Sequence, residues 1–291
     1  MPTKILDIHP HVITTDTQRY PRDPLGGTQS GWSRDRPTTW EQLIQAMDEA
    51  GVAKAAIVQA STCYGFDNSY VADAVAAHPE RFTGVFSVDV LAPDAPEKIR
   101  HWVGKKLTGL RLFTTGSTMP GQAGWLADPK TFPAWEACAE LALPVCLQMR
   151  QEGIPQLNVL LERFPKVRMV IDHLMRAPTE SGPPYAEASP FFTLAKHPNV
   201  HLKLTINSVR EAYKGKATPE TFFGRVVKEF GAQRIAWGSN FPASEGSLKT
   251  IVDESKAALS FLPAEDQDRI FWRTAQALYP ALADKPRGAG R

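Results

Sequence analysis

Residues 4–11 read Lys-Ile-Leu-Asp-Ile-His-Pro-His. The run 4–8 has the composition and length of a buried strand. The residues after it separate two architectures that both open on such a strand. A doubly wound dinucleotide-binding sheet carries GxGxxG directly after it. Here the chain runs instead into His9, Pro10 and His11, then a long polar stretch, so the open sheet is the weaker reading. Working outward, seven more runs of the same kind lie at 54–60, 82–88, 107–113, 143–148, 167–172, 200–205 and 234–238. Amphipathic segments separate most of them. In 38–52, Leu43, Met47 and Ala50 fall at helical spacing, with Thr38 or Thr39 as N-cap and Gly51 as the stop. The segments 68–82, 95–107, 132–144, 156–165, 190–198 and 218–232 have the same pattern. Alternating strand and helix implies parallel strands joined by crossovers. Eight such units predict a (β/α)8 TIM barrel, an α/β fold, as a single domain over 1–281. Residues 249–281 read as a C-terminal helical extension, and 282–291 as a polar, disordered tail.

Composition narrows the function classes. The chain has 291 residues, 43% hydrophobic and 22% charged, which excludes disordered and fibrous classes. Its 33 Lys and Arg face 31 Asp and Glu, too even a balance for a nucleic-acid binder. No apolar run is long enough to span a membrane, and the start reads straight into a strand without the apolar stretch of a signal peptide. Three cysteines with no CxxC pair argue against a disulfide framework and a thiolate zinc site. A reduced, cytoplasmic setting is expected. The 24 prolines and 20 glycines are dispersed, marking loops rather than a linker.

Barrel chemistry sits where strands end. At about 3.3 Å per residue, alternation sets Asp7, His9 and His11 on one side, about 6.6 Å apart in sequence order. Two imidazoles that close can share a metal or one substrate oxygen. The later runs end in or carry Ser61, Arg111 with Thr114, Gln148, Asp172 with His173 and Arg176, Lys203 with Thr205, and Asn240. Arg111 in an apolar strand is costly to bury unpaired, so an anion contact is expected. Arg176 offers a planar fork for a carboxylate. Lys203 reads either as a substrate-anion contact or as half of a barrel ion pair, and Asp172 as a structural partner. Ser61 and Tyr64 are candidate ring or carboxylate contacts. Cys63 has no evident base beside it. The loop 16–37 is long enough for a lid, with Tyr20, Trp32, Arg34 and Arg36 as candidate closing groups.

Five motifs in order carry a resemblance: DIHPH (7–11), VQASTCYGFDNS (58–69), GLRLF (109–113), VIDHLMRAP (170–178) and WGSNFP (237–242). The chain resembles the amidohydrolase superfamily, and within it the lactonase branch that includes 2-pyrone-4,6-dicarboxylate and sugar lactonases. The resemblance implies a hydrolase opening a small carboxylated lactone, from aromatic catabolism or an aldonic acid. It implies catalytic roles for His9, His11, His173 and the position of Asn240. It implies substrate contacts from Ser61, Tyr64, Arg111, Thr114, Gln148, Arg176 and Lys203. Any metal would be a single weakly held divalent ion, zinc by preference, on His9, His11 and His173. The expected partner is a small anionic substrate, with no nucleic acid or membrane, and self-association is open.

One departure matters. The family places Asp where this chain has Asn240, and that Asp takes a proton from the attacking water or binds a metal. An amide has no site that ionises near neutral pH. Three accounts stay open: a substitution engineered to trap a ligand, a subgroup in which His173 or Glu245 is the base, or different chemistry. A metal-dependent decarboxylase or amidase, and a non-catalytic binder, are the alternative functions.

Overall fold

The computed structural model describes residues 1–284 apart from 117 and 120. Eight strands, all paired in parallel, succeed one another in sequence order around one sheet. They are β1 (Leu6–Asp7), β2 (Lys54–Val58), β3 (Phe82–Phe86), β4 (Leu107–Phe113), β5 (Val145–Gln148), β6 (Met169–Ile171), β7 (Val200–Thr205) and β8 (Ile235–Gly238). Each lies on a run expected from the sequence. The amide of Ile8 donates to the Trp237 carbonyl at 3.3 Å, and that of Asn240 to the His9 carbonyl at 3.0 Å. These bonds join the first strand's end to the last and close the barrel.

The crossover helices form where caps and apolar spacing agree. Helix Trp40–Ala50 starts at Thr39, whose hydroxyl accepts from the Gln42 amide while the Gln42 side chain accepts from Thr39 N. It buries Leu43, Met47 and Ala50 and stops at Gly51, at φ 71°. Helix Pro219–Phe230 repeats the device with Thr218 and Thr221. The β6–β7 crossover is shorter than expected. Ser189–Phe192 is a single α turn continued by a 3-10 turn, with Pro190 and Pro198 limiting its length.

Apolar side chains divide between two layers. Leu43, Leu157, Phe223, Ile251 and many others fill the shell between strands and helices. Leu6, Ile8, Val58, Val85, Val170 and Ala236 form a separate inner cluster with Leu278, Tyr279 and Leu282. The C-terminal extension therefore closes the barrel floor. Leu282, the first residue of the expected tail, is part of that closure at 1% exposure. Asp284 pairs with Lys4 and Lys54. The remainder of that tail, 285–291, lies outside the described residues.

Candidate active site

The upper part of the barrel interior is polar. In β7, Val200, Leu202 and Leu204 join the outer shell, so alternation turns Lys203 and Thr205 inward. Lys203 Nζ lies 2.9 Å from Asp172 Oδ1, both side chains fully buried. Arg111 Nε donates to the other carboxylate oxygen at 2.8 Å, and its Nη2 donates to Gln148 Oε1. Burial alone would raise the Asp172 carboxyl, but Lys203 and Arg111 outweigh it and hold it well below the usual range. Lys203 is thus a partner of Asp172, and it is absent from the walls of the cavity above.

The end of β1 departs from strict alternation. Asp7 Oδ1 accepts the amides of His9 at 2.9 Å and Ser239 at 2.8 Å, so this carboxylate ties β1 to β8 and does not join the histidines. Burial raises the Asp7 pKa to about 6. The His9 ring lies 5.0 Å from that of His11 and 4.8 Å from that of His173. Gly238 makes room for it, because a Cβ there would sit 2.6 Å from His9 Cβ.

His11 Nδ1 is 2.8 Å from the Val58 carbonyl. A carbonyl only accepts, so Nδ1 carries the proton and Nε2 keeps its lone pair. Burial, then Arg111, pushes the His11 pKa down to about 3. Burial likewise takes His173 to about 3 and His9 well below its usual value. His173 Nδ1 meets Thr205 Oγ1 at 2.8 Å. The residues from His173 to Arg176 are all left-handed, with φ between 48° and 58°, a conformation that costs about 1–2 kcal/mol per residue. This turn delivers His173 and Arg176 to the mouth of the barrel.

Asn240 is left-handed too, at φ 60°, which asparagine tolerates better than most side chains. Its Nδ2 donates to Ser244 Oγ at 2.9 Å, and that hydroxyl donates to Asn207 Oδ1 at 2.9 Å. The Asn240 Oδ1 is left as an acceptor.

Above this interior lies a cavity of about 170 Å³. Of the expected site residues, it is lined by His11, Ser61, Arg111, Gln148, His173, Arg176 and Asn240. His9 sits beneath it, fully buried. Tyr64 is turned away, its hydroxyl accepting the Thr14 amide at 3.0 Å. Thr114 points into the protein and donates to the Gln148 carbonyl at 2.8 Å. Glu245 is exposed and outside the cavity wall. Of the long first loop, Trp32 enters, its ring 5.1 Å from His11. Arg36 fastens that loop to the Pro242 and Ala243 carbonyls, Tyr20 bonds Asp73, and Arg34 pairs with Asp35 at the surface. Burial raises the Cys63 thiol to about 11, which removes it as a nucleophile. Asn207 was not apparent from the sequence. It comes just after β7 with no neighbouring motif, and its contact with Ser244 and its place in the cavity wall mark it.

Ligand atoms of His9, Asp172 and His173 all lie within 4.8 Å of one another. This is a potential metal site, with Asp172 in the place expected of His11. Both His9 ring nitrogens are buried without a hydrogen-bond partner. Two neutral imidazoles and one carboxylate are donors that fit zinc in kind and number. The charge is less favourable, since Asp172 is already balanced by two cations.

A family model described as Amidohydrolase matches residues 6–281. The chain belongs to the amidohydrolase family. This amidohydrolase is 29% identical over 207 residues to an L-fucono-1,5-lactonase of Burkholderia ambifaria, covering 70% of each chain. Among solved structures it is similar to a putative 2-pyrone-4,6-dicarboxylic acid hydrolase from Pseudomonas putida. The TM-score is 0.74 at 22% identity, over 98% of this chain and 100% of the other. It is also similar to an amidohydrolase from Burkholderia multivorans with bound zinc, at TM-score 0.74 and 18% identity, over 96% and 99% of the two chains. Among the described residues, no helix of this amidohydrolase is long and apolar enough to cross a membrane.

Proposed function

We propose that this amidohydrolase opens the ring of a small lactone by attack of water, either a carboxylated lactone from aromatic-ring breakdown or an aldonolactone. The observation that carries the reading is the pairing of two acceptors with two guanidinium groups around one cavity. His11 Nε2 and Asn240 Oδ1 both accept, and Arg111 and Arg176 line the same walls. A water donating its two protons to His11 and Asn240 presents a lone pair to the carbonyl carbon. Its likeness to a sugar lactonase and to a pyrone-dicarboxylate hydrolase supports this class of substrate.

In this reading Arg176 holds the substrate carboxylate and orients the ring. The N–H groups of Arg111 not engaged by Asp172 and Gln148 face the carbonyl oxygen, where negative charge grows. His11 takes the proton from water as that charge develops beside it, and Asn240 fixes the water without exchanging a proton. In the metal-free site His173 Nε2 donates a hydrogen bond to the ring oxygen that leaves, and that oxygen takes the proton that His11 removed from water. Were a divalent ion bound, His9, Asp172 and His173 would hold it, and it would supply Lewis-acid polarisation of the carbonyl. Asp172's existing partners make such binding weak. A small anionic substrate and a reducing cytoplasm are the proposed setting.

The test is a panel of carboxylated and aldonic lactones monitored by acid release, with and without zinc. At least one lactone opens far above the uncatalysed rate, and His11→Gln abolishes it. A panel in which nothing is opened defeats the reading.

A further inference from the structure

The cavity at the barrel mouth is not the largest space beside the site. A chamber of about 640 Å³ lies over the β6 and β7 loops and shares His173, Arg176 and Asn207 with it. The shared residues make the two spaces neighbours, and the chamber is between three and four times the larger. The inner cavity suits one ring; a substrate of one ring leaves the chamber unused.

The walls select among ligand classes. Arg210 pairs with Glu254 and Lys214 with Glu211. Among the described residues, Arg176, Glu180 and Glu187 line the chamber without an ion-pair partner. A second anion would meet two free carboxylates. Leu174, Ala177, Pro178 and Phe222 also line it, but an apolar group filling the chamber would strip water from several charges and return no hydrogen bond to them. Hydroxyls both donate and accept, so they satisfy carboxylates and guanidinium groups together. The apolar alternative has its own place: a cavity of about 210 Å³ on the opposite side, walled by Leu25, Phe66, Val90, Met119 and Trp125.

We infer that this chamber is a subsite for a neutral polyhydroxylated extension of the substrate, a glycosyl unit attached to the lactone-bearing residue. The inference rests on the lactone-hydrolase reading for its substrate and on the chamber's own walls for its ligand class. Arg176, at the junction, anchors the lactone end, while Glu180 and Glu187 receive hydroxyl protons of the distal unit.

The experiment compares kcat/KM on gluconolactone, on the lactone of lactobionic acid and on an alkyl-substituted lactone. A Glu180→Gln/Glu187→Gln variant is measured beside the parent. Both glutamates are exposed, so the substitution leaves folding intact. Binding of lactitol, an unreactive disaccharide alditol, is measured by calorimetry. The disaccharide lactone is expected to exceed gluconolactone by at least about tenfold. The double variant is expected to erase that preference, weaken lactitol binding, and leave gluconolactone turnover within about twofold. Equal rates on the two sugar lactones without lactitol binding, or a preference for the alkyl lactone, overturn the subsite and leave the hydrolase reading standing. No hydrolysis of these three or of a carboxylated lactone run beside them, with lactitol bound by the parent and lost in the variant, overturns the hydrolase reading and leaves the subsite standing.

Discussion

The ammonium of Lys203 and the carboxylate of Asp172 meet at 2.9 Å in the barrel interior, with neither side chain exposed. The pair stands beneath the cavity at the barrel mouth and neutralises the one carboxylate of the potential metal group. Removing one partner of a buried pair is far more costly than the pair itself is worth. Lys203→Met should therefore lower stability by about 3 kcal/mol, read by urea unfolding. Arg111 remains on Asp172 and keeps the loss near the lower end of that class. A loss indistinguishable from zero means that the pair does not form.

The same substitution bears on metal. With Lys203 gone, Asp172 has one cation instead of two, and zinc affinity should rise at least about tenfold over the parent. Calorimetry with zinc on both proteins checks this. A parent chain that keeps one zinc per molecule through dialysis against chelator would refute weak binding.

Asn240→Asp separates the accounts of the missing carboxylate. Asn240 Nδ2 donates to Ser244, whose own proton goes to Asn207. A carboxylate at 240 cannot donate, so Ser244 must turn from Asn207 to supply it. With His11 as base, the substitution should change kcat/KM by less than about tenfold, while His11→Gln removes activity. A gain of several orders of magnitude in Asn240→Asp sinks the assignment of His11.

Arg176→Gly trades function for stability. Arg176 is exposed at φ 50°. Glycine removes a left-handed cost of about 1–2 kcal/mol and brings an entropic cost of about 0.5–1 kcal/mol. The variant should be more stable by about 0.5 to 1 kcal/mol in urea, with KM for a carboxylated lactone raised at least about tenfold. A destabilised variant with unchanged KM contradicts both roles.

Gly238→Ala tests the closeness of β8 to the first histidine. Its methyl would lie 2.6 Å from His9 Cβ, and overpacking of this kind costs about 1–3 kcal/mol. Thermal unfolding and lactone hydrolysis should fall together. An unperturbed Tm shows that β1 moves away freely.

The sequence announced all eight strands, because each is a short apolar run bounded by turn residues, and it announced the helix behind Thr39 from its cap. It also marked His11, His173, Arg111 and Arg176, since a charged or imidazole group in or just after a buried strand has few other reasons to be there, and it marked Asn240 through the family resemblance. It was silent on Asn207 and misjudged the direction of Asp7. The first enters through a contact 37 residues away in sequence. The second turns on a β1 that ends at Asp7, where the carboxylate caps two backbone amides and period-two alternation no longer applies.

By itself, then, the sequence determined the barrel and the set of strand ends that face its mouth, because periodicity and turn chemistry are local. Only the tertiary structure decided which charges meet. Lys203 could have faced substrate or an acid, and its choice of Asp172 depends on β6 and β7 lying side by side with both side chains turned inward. Partner selection in a low-dielectric interior is a matter of a few ångströms between distant parts of the chain, and that distance is a property of the fold.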